Sequence, residues 1–242
     1  PGGSTAASYL AQAGARVLLL DKADFPRDKT CGDAVSPNAL KIAGDLGLMD
    51  KLGEFSYRIN GVRLVAPDGG DMTASIPTKS GFTDYLYISP RLQLDNLLLE
   101  KAIQSGADFE SQVRITDIQV DSQSVTLKGK NPHGESRFSA RVVVIAVGAS
   151  IPLLLKTGIL AAAPPFALAA RAYFTGVQGL SDLMEIRFDG VPLPGYGWIF
   201  PKSETSANIG AGFMKNSPNL SSNVREVLDD FLHHEPIANM MA

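Results

Sequence analysis

An acid that follows an apolar run near the start of the chain has the spacing of a nucleotide site. Gly3 opens a stretch of small and apolar residues that stops at Gly14, and the apolar run 16–20 ends at Asp21, 18 residues after Gly3. In the dinucleotide fingerprint, the last glycine lets a helix approach the sheet and the helix N-terminus faces a pyrophosphate. An acid about 20 residues further on binds ribose hydroxyls. Gly3 and Asp21 are therefore candidate nucleotide-binding residues.

These residues alone leave a second interpretation open. A helix followed by a buried strand, with an unrelated acid at its end, would give the same pattern. The first strand and the first two glycines of the fingerprint are not among residues 1–242.

The segment that follows Asp21 is more specific. It contains Phe-Pro-Arg ending at Arg27, then a second base, then Cys31-Gly32. This order resembles the geranylgeranyl reductase family, within the larger group of flavoproteins that includes p-hydroxybenzoate hydroxylase. The resemblance implies FAD as the cofactor, with Lys22, Arg27, Cys31 and Gly32 among its contacts. The alternative for the bases is a solvated loop.

Further cofactor contacts are implied at three more places. Arg91 lies in the first turn of a predicted helix, where a cation is unfavourable for the helix dipole and needs another partner. The family implies the flavin phosphates, and the alternative is an exposed or acid-paired arginine. Val113 is implied to contact adenine through its backbone. Ala146 and Gly148 are the third place, in the second half of the apolar run 141–150. We expect this run to be a fully buried parallel strand that ends in a glycine turn and returns to the cofactor.

The aromatic residues Tyr196, Trp198 and Phe200 form a second anchor of the resemblance. They belong to a Tyr-x-Trp-x-Phe-Pro pattern, and their alternation places all three rings on one face of a strand. Such a face is commonly core, but it can also line a pocket for an apolar ligand. In the family these aromatics line the cavity for a long isoprenoid. We therefore assign Tyr196, Trp198 and Phe200 to a substrate pocket.

The predicted fold is of the α/β (α+β) class. A Rossmann-like FAD-binding domain with a β-meander, residues 1–52 and 89–159, is interleaved with an antiparallel-sheet substrate domain, residues 53–88 and 160–242. The meander is expected at 112–120, 123–129 and 135–140. Substrate-domain strands are expected at 60–66, 71–76, 84–88, 167–175, 184–189, 196–200 and 206–214. A helix over 221–234, capped by Ser221 or Ser222, follows them.

Composition excludes several classes of protein. The 242 residues carry a net charge of −3 and 45% hydrophobic residues, which is typical of a globular protein. One cysteine and three histidines exclude a disulfide framework and argue against a metal site. A pI near 5.6 argues against nucleic acid as a partner. No apolar run is long enough to span a membrane, and no signal peptide is visible. We expect a cytoplasmic location, with peripheral membrane association possible.

The resemblance implies an FAD-dependent oxidoreductase that transfers a hydride from reduced flavin to a carbon–carbon double bond of an isoprenoid substrate of the geranylgeranyl type. The expected partner is thus an apolar small molecule or lipid. The electron donor, NAD(P)H or a ferredoxin-like protein, stays open, and Cys31 and Tyr196 are candidate proton donors. The alternatives are a flavin monooxygenase or halogenase, and a non-catalytic electron-transfer module. Val147 stands where aromatic hydroxylases carry an acid, and one tryptophan is too few for the Trp-x-Trp motif of halogenases.

The resemblance also implies a longer protein. The family's second flavin motif, Gly-Asp-Ala-Ala-Gly, does not occur in residues 1–242, and the chain begins inside the first one. We therefore expect a fragment cut at both ends.

Overall fold

The computed structural model describes residues 1–165, 167–214 and 223–241. The helices are, in chain order, α1 (Gly2–Gln12), α2 (Pro37–Asp45), α3 (Met49–Gly53), α4 (Arg91–Gln104), α5 (Pro152–Lys156), α6 (Val224–His233) and α7 (Glu235–Ala238). The strands are β1 (Leu18–Leu20), β2 (Ala34–Val35), β3 (Tyr57–Ile59), β4 (Gly61–Val65), β5 (Asp71–Ser75), β6 (Leu86–Ile88), β7 (Asp108–Glu110), β8 (Arg114–Val120), β9 (Val125–Asn131), β10 (Gly134–Ala140), β11 (Ala167–Thr175), β12 (Leu183–Arg187), β13 (Gly195–Pro201) and β14 (Ser206–Met214). None of the helices in these ranges is long and apolar enough to cross a bilayer.

The chain folds into two compact units, and each unit is built from two separate stretches. The first unit comprises Pro1–Asp28 and Leu92–Pro164, and the second comprises Lys29–Arg91 and Pro165–Ala242. Helices combined with parallel and antiparallel sheets confirm the predicted α/β class. The compact units divide the chain at residues other than the domain boundaries drawn from the sequence. Those boundaries stay a prediction.

In the first unit, helix α1 packs on a two-stranded parallel sheet formed by β1 and β7. Small side chains make this contact, because Ala7, Ala102 and Ala107 form one buried cluster. The helix ends near the predicted stop, where Gly14 has a φ of +82°. This is a left-handed conformation that glycine adopts at little steric cost. The predicted helix and the strand before Asp21 are therefore both present.

The predicted β-meander is confirmed in the first unit. Strands β8, β9 and β10 form an antiparallel sheet in the order β10-β9-β8. The first turn is fixed by Asp121, whose carboxylate accepts backbone N–H bonds from Gln123 and Ser124 at 2.7 and 2.8 Å. An aspartate side chain that accepts N–H groups two and three residues further on favours a turn of this kind.

The prediction of a fully buried strand at residues 141–150 is wrong. These residues form no strand, and Val142 is 76% exposed. In a doubly wound sheet the neighbour of this segment is the strand before the glycine motif. No strand of the described residues pairs with this segment. An apolar run becomes a buried strand only when a neighbour offers its backbone hydrogen bonds.

The second unit is built on a six-stranded sheet with the order β11-β14-β13-β12-β4-β5. Its neighbouring strands are antiparallel, except that β12 runs parallel to β4. The parallel pair joins the two separate stretches of the unit. A three-stranded antiparallel sheet, β2-β6-β3, completes the unit.

Strand β13 has a hydrophobic cluster on each face. On one face, Ile199 packs in a cluster that includes Phe231 of α6. On the other face, Trp198 and Phe200 pack in a cluster that includes Ile88 of β6. The alternation of side chains along the strand therefore distributes its residues between two cores.

Helix α6 closes the first of these clusters. It begins at Val224, and Asn223 caps it by accepting the N–H of Arg225 at 3.1 Å. The predicted caps, Ser221 and Ser222, lie outside the described residues. The expected apolar face is present, with Val227 and Phe231 buried.

Two glycines make the double burial of β13 possible. A Cβ at Gly197 would overlap the ring of Phe231, and a Cβ at Gly210 on the neighbouring strand would overlap the indole of Trp198. The large rings occupy the space that these two positions leave empty. The positions therefore require glycine for its lack of a side chain.

We expect Gly210→Ala in the full-length protein to lower the free energy of unfolding by about 1–3 kcal/mol, because the added methyl overpacks the site. Thermal melting measures the loss. Gly44→Ala in helix α2 is the control, since its Cβ would make an ordinary 3.7 Å contact with Met49 and alanine favours a helix. An unchanged melting temperature for Gly210→Ala would contradict the prediction.

Candidate functional site

The start of helix α1 is a place where an anion can bind. The first helical bond joins the N–H of Thr5 to the carbonyl of Pro1 at 2.9 Å, so the N–H groups before Thr5 lie outside the helical ladder. A Cβ on Gly3 would lie 3.4 Å from side-chain atoms of both Leu19 and Ala146. The helix thus lies close to these two residues at Gly3. Exposed N–H groups and the positive dipole end suit a phosphate.

Asp21 lies directly after β1, in the same unit as this helix start. Its Oδ1 accepts the backbone N–H of Ala23 at 3.0 Å. Its own backbone N–H donates to Glu110 at 3.2 Å, and its carbonyl accepts the N–H of Val113 at 2.9 Å. The structure therefore brings together two of the predicted site residues, Asp21 and Val113.

Arg27 is held by two carboxylates. Its guanidinium lies 3.3 Å from Oδ2 of Asp21 and 2.9 Å from Oδ2 of Asp95, and it stacks over the ring of Phe25 at 4.6 Å. Asp95 is 1% exposed, so this ion pair is sheltered from solvent screening. The arrangement fixes Asp21, while a direct flavin contact of Arg27 stays a prediction.

Sequence reasoning missed Asp95. The residue lies in helix α4, three and four positions before the buried Leu98 and Leu99. An acid inside the apolar stripe of a helix indicates a buried partner, because an unpaired charge is costly to bury. That spacing was the signal that could have found it.

The other predicted cofactor residues have varied surroundings. Lys22 is exposed, and Gly148 has a φ of +61° in an exposed turn. Cys31, Gly32 and Arg91 belong to the second unit. Arg91 is buried, whereas Cys31 is partly exposed. Their roles stay predictions.

An apolar groove of about 650 Å³ lies in the second unit. Its lining residues carry no charge and are Ala167, Leu168, Ala169, Phe188, Leu193, Pro194, Gly195, Tyr196, Trp198, Gly212, Phe213 and Met214. Tyr196 is 46% exposed and Trp198 is buried beneath it, with the two ring centres 5.9 Å apart. Two of the three predicted pocket aromatics therefore line this groove, and Phe200 packs with Trp198 in the buried cluster behind it.

The indole of Trp198 is anchored by a buried polar web. Its Nε1 donates to Oδ1 of Asn208 at 3.0 Å, and Nδ2 of Asn208 donates to Oδ2 of Asp33 at 2.8 Å. The same carboxylate oxygen accepts the hydroxyl of Tyr173 at 2.7 Å. Sequence reasoning missed these partners. The available signal was Asn208 itself, a polar residue within the small and apolar run of β14.

A charged network holds the strand end next to the groove residue Phe188. Arg187 forms two bonds with Asp189, at 3.0 and 2.7 Å, and one with Glu185 at 2.9 Å. His234 contacts the same Asp189 at 3.0 Å. Burial opposes ionisation of Asp189, but the bonds from Arg187 and His234 outweigh it and lower the pKa of the Asp189 carboxyl.

Two family models match the chain. The FAD binding domain matches residues 1–154, and the geranylgeranyl reductase catalytic domain matches residues 167–241. The chain belongs to the family of proteins that carry this FAD-binding domain, and its second part is similar to the catalytic domain of geranylgeranyl reductases. The resemblance inferred from the Phe-Pro-Arg and Tyr-x-Trp-x-Phe-Pro segments is therefore confirmed, and FAD is its cofactor. The residues lining the apolar groove all fall within the part that matches the catalytic domain.

Proteins similar to this chain occur in bacteria and in archaea. A menaquinone reductase of Mycobacterium tuberculosis is 34% identical over 223 residues, covering 90% of this chain and 54% of that protein. A digeranylgeranylglycerophospholipid reductase of Methanosphaera stadtmanae is 27% identical over 243 residues, covering 98% and 57%. The crystal structure of a geranylgeranyl bacteriochlorophyll reductase-like protein from Thermoplasma acidophilum has the same fold, with a TM-score of 0.82, 22% identity, and coverage of 98% and 60%. The chain spans about half the length of the curated relatives that it matches.

The residues of the first unit fit the nucleotide end of FAD. The N-terminus of α1 offers backbone N–H groups to a pyrophosphate, and the narrow gap at Gly3 would be filled by any Cβ. Asp21 keeps a carboxylate at the end of β1, where ribose hydroxyls can donate to it. Val113 is hydrogen-bonded to the backbone of Asp21. These residues would hold the adenosine part of the cofactor.

We expect Asp21→Ala in the full-length protein to weaken FAD retention about ten- to hundred-fold, because a hydrogen bond to a charged group is worth about 1.5–3 kcal/mol. Flavin absorbance after gel filtration at increasing dilution measures retention. Asp108→Ala is the control, since this exposed carboxyl lies on the neighbouring strand β7. Equal flavin occupancy of both variants and the wild type would refute the assignment of Asp21.

We expect the network at Asp189 to stabilise the fold above the ordinary aspartate pKa of 3.8 and to fail as pH falls below it, because the carboxyl has a lowered pKa in the folded protein. At pH 7, Asp189→Asn should cost about 1–3 kcal/mol, and the difference from wild type should shrink at low pH. Melting curves across pH test this. The exposed Asp84→Asn is the control and should change stability little. A difference that does not depend on pH would contradict the prediction.

Proposed function

We propose that the full-length protein is an FAD-dependent reductase that saturates carbon–carbon double bonds of an isoprenoid chain. The apolar groove in the second unit is the observation that carries this proposal. It lies within the segment that matches the geranylgeranyl reductase catalytic domain, and its lining is uncharged. The relatives named as reductases of menaquinone and of digeranylgeranylglycerophospholipid support a lipid substrate.

The groove favours a hydrocarbon over a polar ligand. Burial of apolar surface contributes about 25 cal/mol per Å², so a flexible chain can be held without a single directed contact. The one polar group of Trp198, its indole N–H, is already bonded to Asn208. The buried wall of the groove thus offers the ligand carbon surface only.

The residues of the chain have separate tasks in this proposal. FAD, when bound, supplies the hydride chemistry. Residues around Gly3 and Asp21 hold the nucleotide, and the groove aligns the isoprenoid and excludes water. Of the two candidate proton donors, Tyr196 lines the groove and Cys31 is not among the lining residues. This geometry supports Tyr196 as the donor that protonates the second carbon.

A reductase differs from a monooxygenase or halogenase in the compound that reoxidises its reduced flavin, which is the lipid substrate in the one case and oxygen in the other. The full-length protein is reduced without oxygen and mixed with a geranylgeranyl phospholipid or a menaquinone, and flavin absorbance at 450 nm, roughly the usual maximum of oxidised flavin, is followed. Return of the absorbance with formation of a saturated product supports the proposal. No reoxidation by either lipid, together with oxygen-dependent turnover of an aromatic compound, contradicts it.

A larger side chain in the groove should obstruct a long chain. We expect Ala169→Phe to raise KM for a geranylgeranyl substrate about ten-fold or more, equivalent to about 1.4 kcal/mol of lost binding, because Ala169 lines the groove. Thr175→Phe is the control, since this exposed residue ends the same strand β11 outside the lining. Equal KM values for the two variants would show that the substrate binds elsewhere.

The exposed apolar side chains Leu193, Tyr196 and Met214 all belong to the groove. They support a lipid entering from a bilayer surface. The cytoplasmic, membrane-peripheral location expected from the sequence stays a prediction.

A further inference from the structure

Asn208 is completely buried, yet the proposed function gives it no task. It lies on β14, where its neighbours Ala207 and Ile209 are also fully buried. Burying an amide costs free energy unless its donors and acceptor are satisfied. A polar residue at such a position is therefore defined by its partners.

The partners determine the orientation of the amide. The indole N–H of Trp198 can only donate, so Oδ1 must face it, and the two bond at 3.0 Å. The carbonyl of Cys31 can only accept, and Nδ2 donates to it at 2.8 Å. Nδ2 also donates to Oδ2 of Asp33 at 2.8 Å. Both amide hydrogens and the amide oxygen are thus hydrogen-bonded. Among side chains of this length, only asparagine satisfies all three partners.

This one side chain joins two parts of the candidate site. Trp198 forms the buried wall of the groove, and Cys31 belongs to the segment that the family resemblance places beside the flavin. The ring edge lies close against the backbone at Gly32 and Gly210, and a Cβ on Gly210 would overlap it. A Cβ on Gly32 would lie 3.5 Å from Nε1. The hydrogen bond that the indole N–H donates to Oδ1 of Asn208 is a directed contact, which the ring would lose in its flipped orientation.

We propose that Asn208 is a positioning residue for the reaction: it fixes the Trp198 indole as the groove wall and links it to the backbone of Cys31. This inference rests on the proposed function, because the groove wall then decides which double bond of the isoprenoid reaches the reacting position. Asn208 touches neither substrate nor flavin in this role.

Two variants separate positioning from simple packing. Asn208→Asp keeps an oxygen facing Trp198 but turns the second one toward the oxygens of Cys31 and Asp33, whereas Asn208→Leu removes every bond. Ile209→Val is the matched control, because Ile209 is equally buried on the next residue but packs in the opposite cluster with Phe231. We expect all three variants to lower the free energy of unfolding, but only the two Asn208 variants to change the position of the Trp198 indole.

The test uses the full-length holoprotein with any tryptophan outside residues 1–242 replaced by phenylalanine. Acrylamide quenching of Trp198 fluorescence, the KM and kcat for a geranylgeranyl phospholipid, the distribution of reduced double bonds and the melting temperature are measured. We expect both Asn208 variants to increase quenching, to raise KM about ten-fold and to alter the product distribution. Ile209→Val should lower only the melting temperature.

The outcomes separate this inference from the proposed function. Quenching, KM and products that match Ile209→Val would overturn the positioning role, whatever the wild type converts. A wild type that reduces no isoprenoid would overturn the proposed function. In that case, increased quenching in Asn208→Leu would still establish that Asn208 holds the indole, because that measurement needs no substrate.

Discussion

Strand β13 is buried on both faces, and the second unit depends on this constraint. Ile199 contributes to one core, and Trp198 and Phe200 contribute to the other. A strand can serve two cores only if large rings on one element meet empty positions on the next, which Gly197 and Gly210 provide. The groove results from the same packing, because its buried wall is formed by the ring of Trp198, which also packs in the core.

Ion pairs hold neighbouring residues in place in both units. In the first, Arg27 lies between Asp21 and the buried Asp95, so the carboxylate of Asp21, which we expect to bind a ribose, is kept in place by an ion pair. In the second, Arg187 and Asp189 flank Phe188 and fix the end of β12 beside the groove. Burial makes each pair costly to break. In both units, a charged residue orients a neighbour that would contact the ligand.

The sequence predicted those features that depend on neighbouring residues along the chain. Helix α1, the strand before Asp21, the meander and the face shared by Tyr196 and Trp198 all follow from periodicity and turn residues. The run 141–150 failed because a parallel strand depends on a partner far away in sequence. Asp95 and Asn208 were missed for a related reason. A buried polar residue is explained only by the group that it meets, and periodicity does not name that group.

Both units are discontinuous in the chain, and this affects the order in which they can form. The first unit is complete only when Leu92–Pro164 packs with Pro1–Asp28. In the second unit, β4 pairs with β12, which lies more than 100 residues later in the chain. Contacts between such distant segments slow folding, because a long loop must close before they contribute. During synthesis the early strands therefore emerge without their partners. Their apolar edges stay unpaired until the later segments have been made, and unpaired strand edges are prone to aggregation.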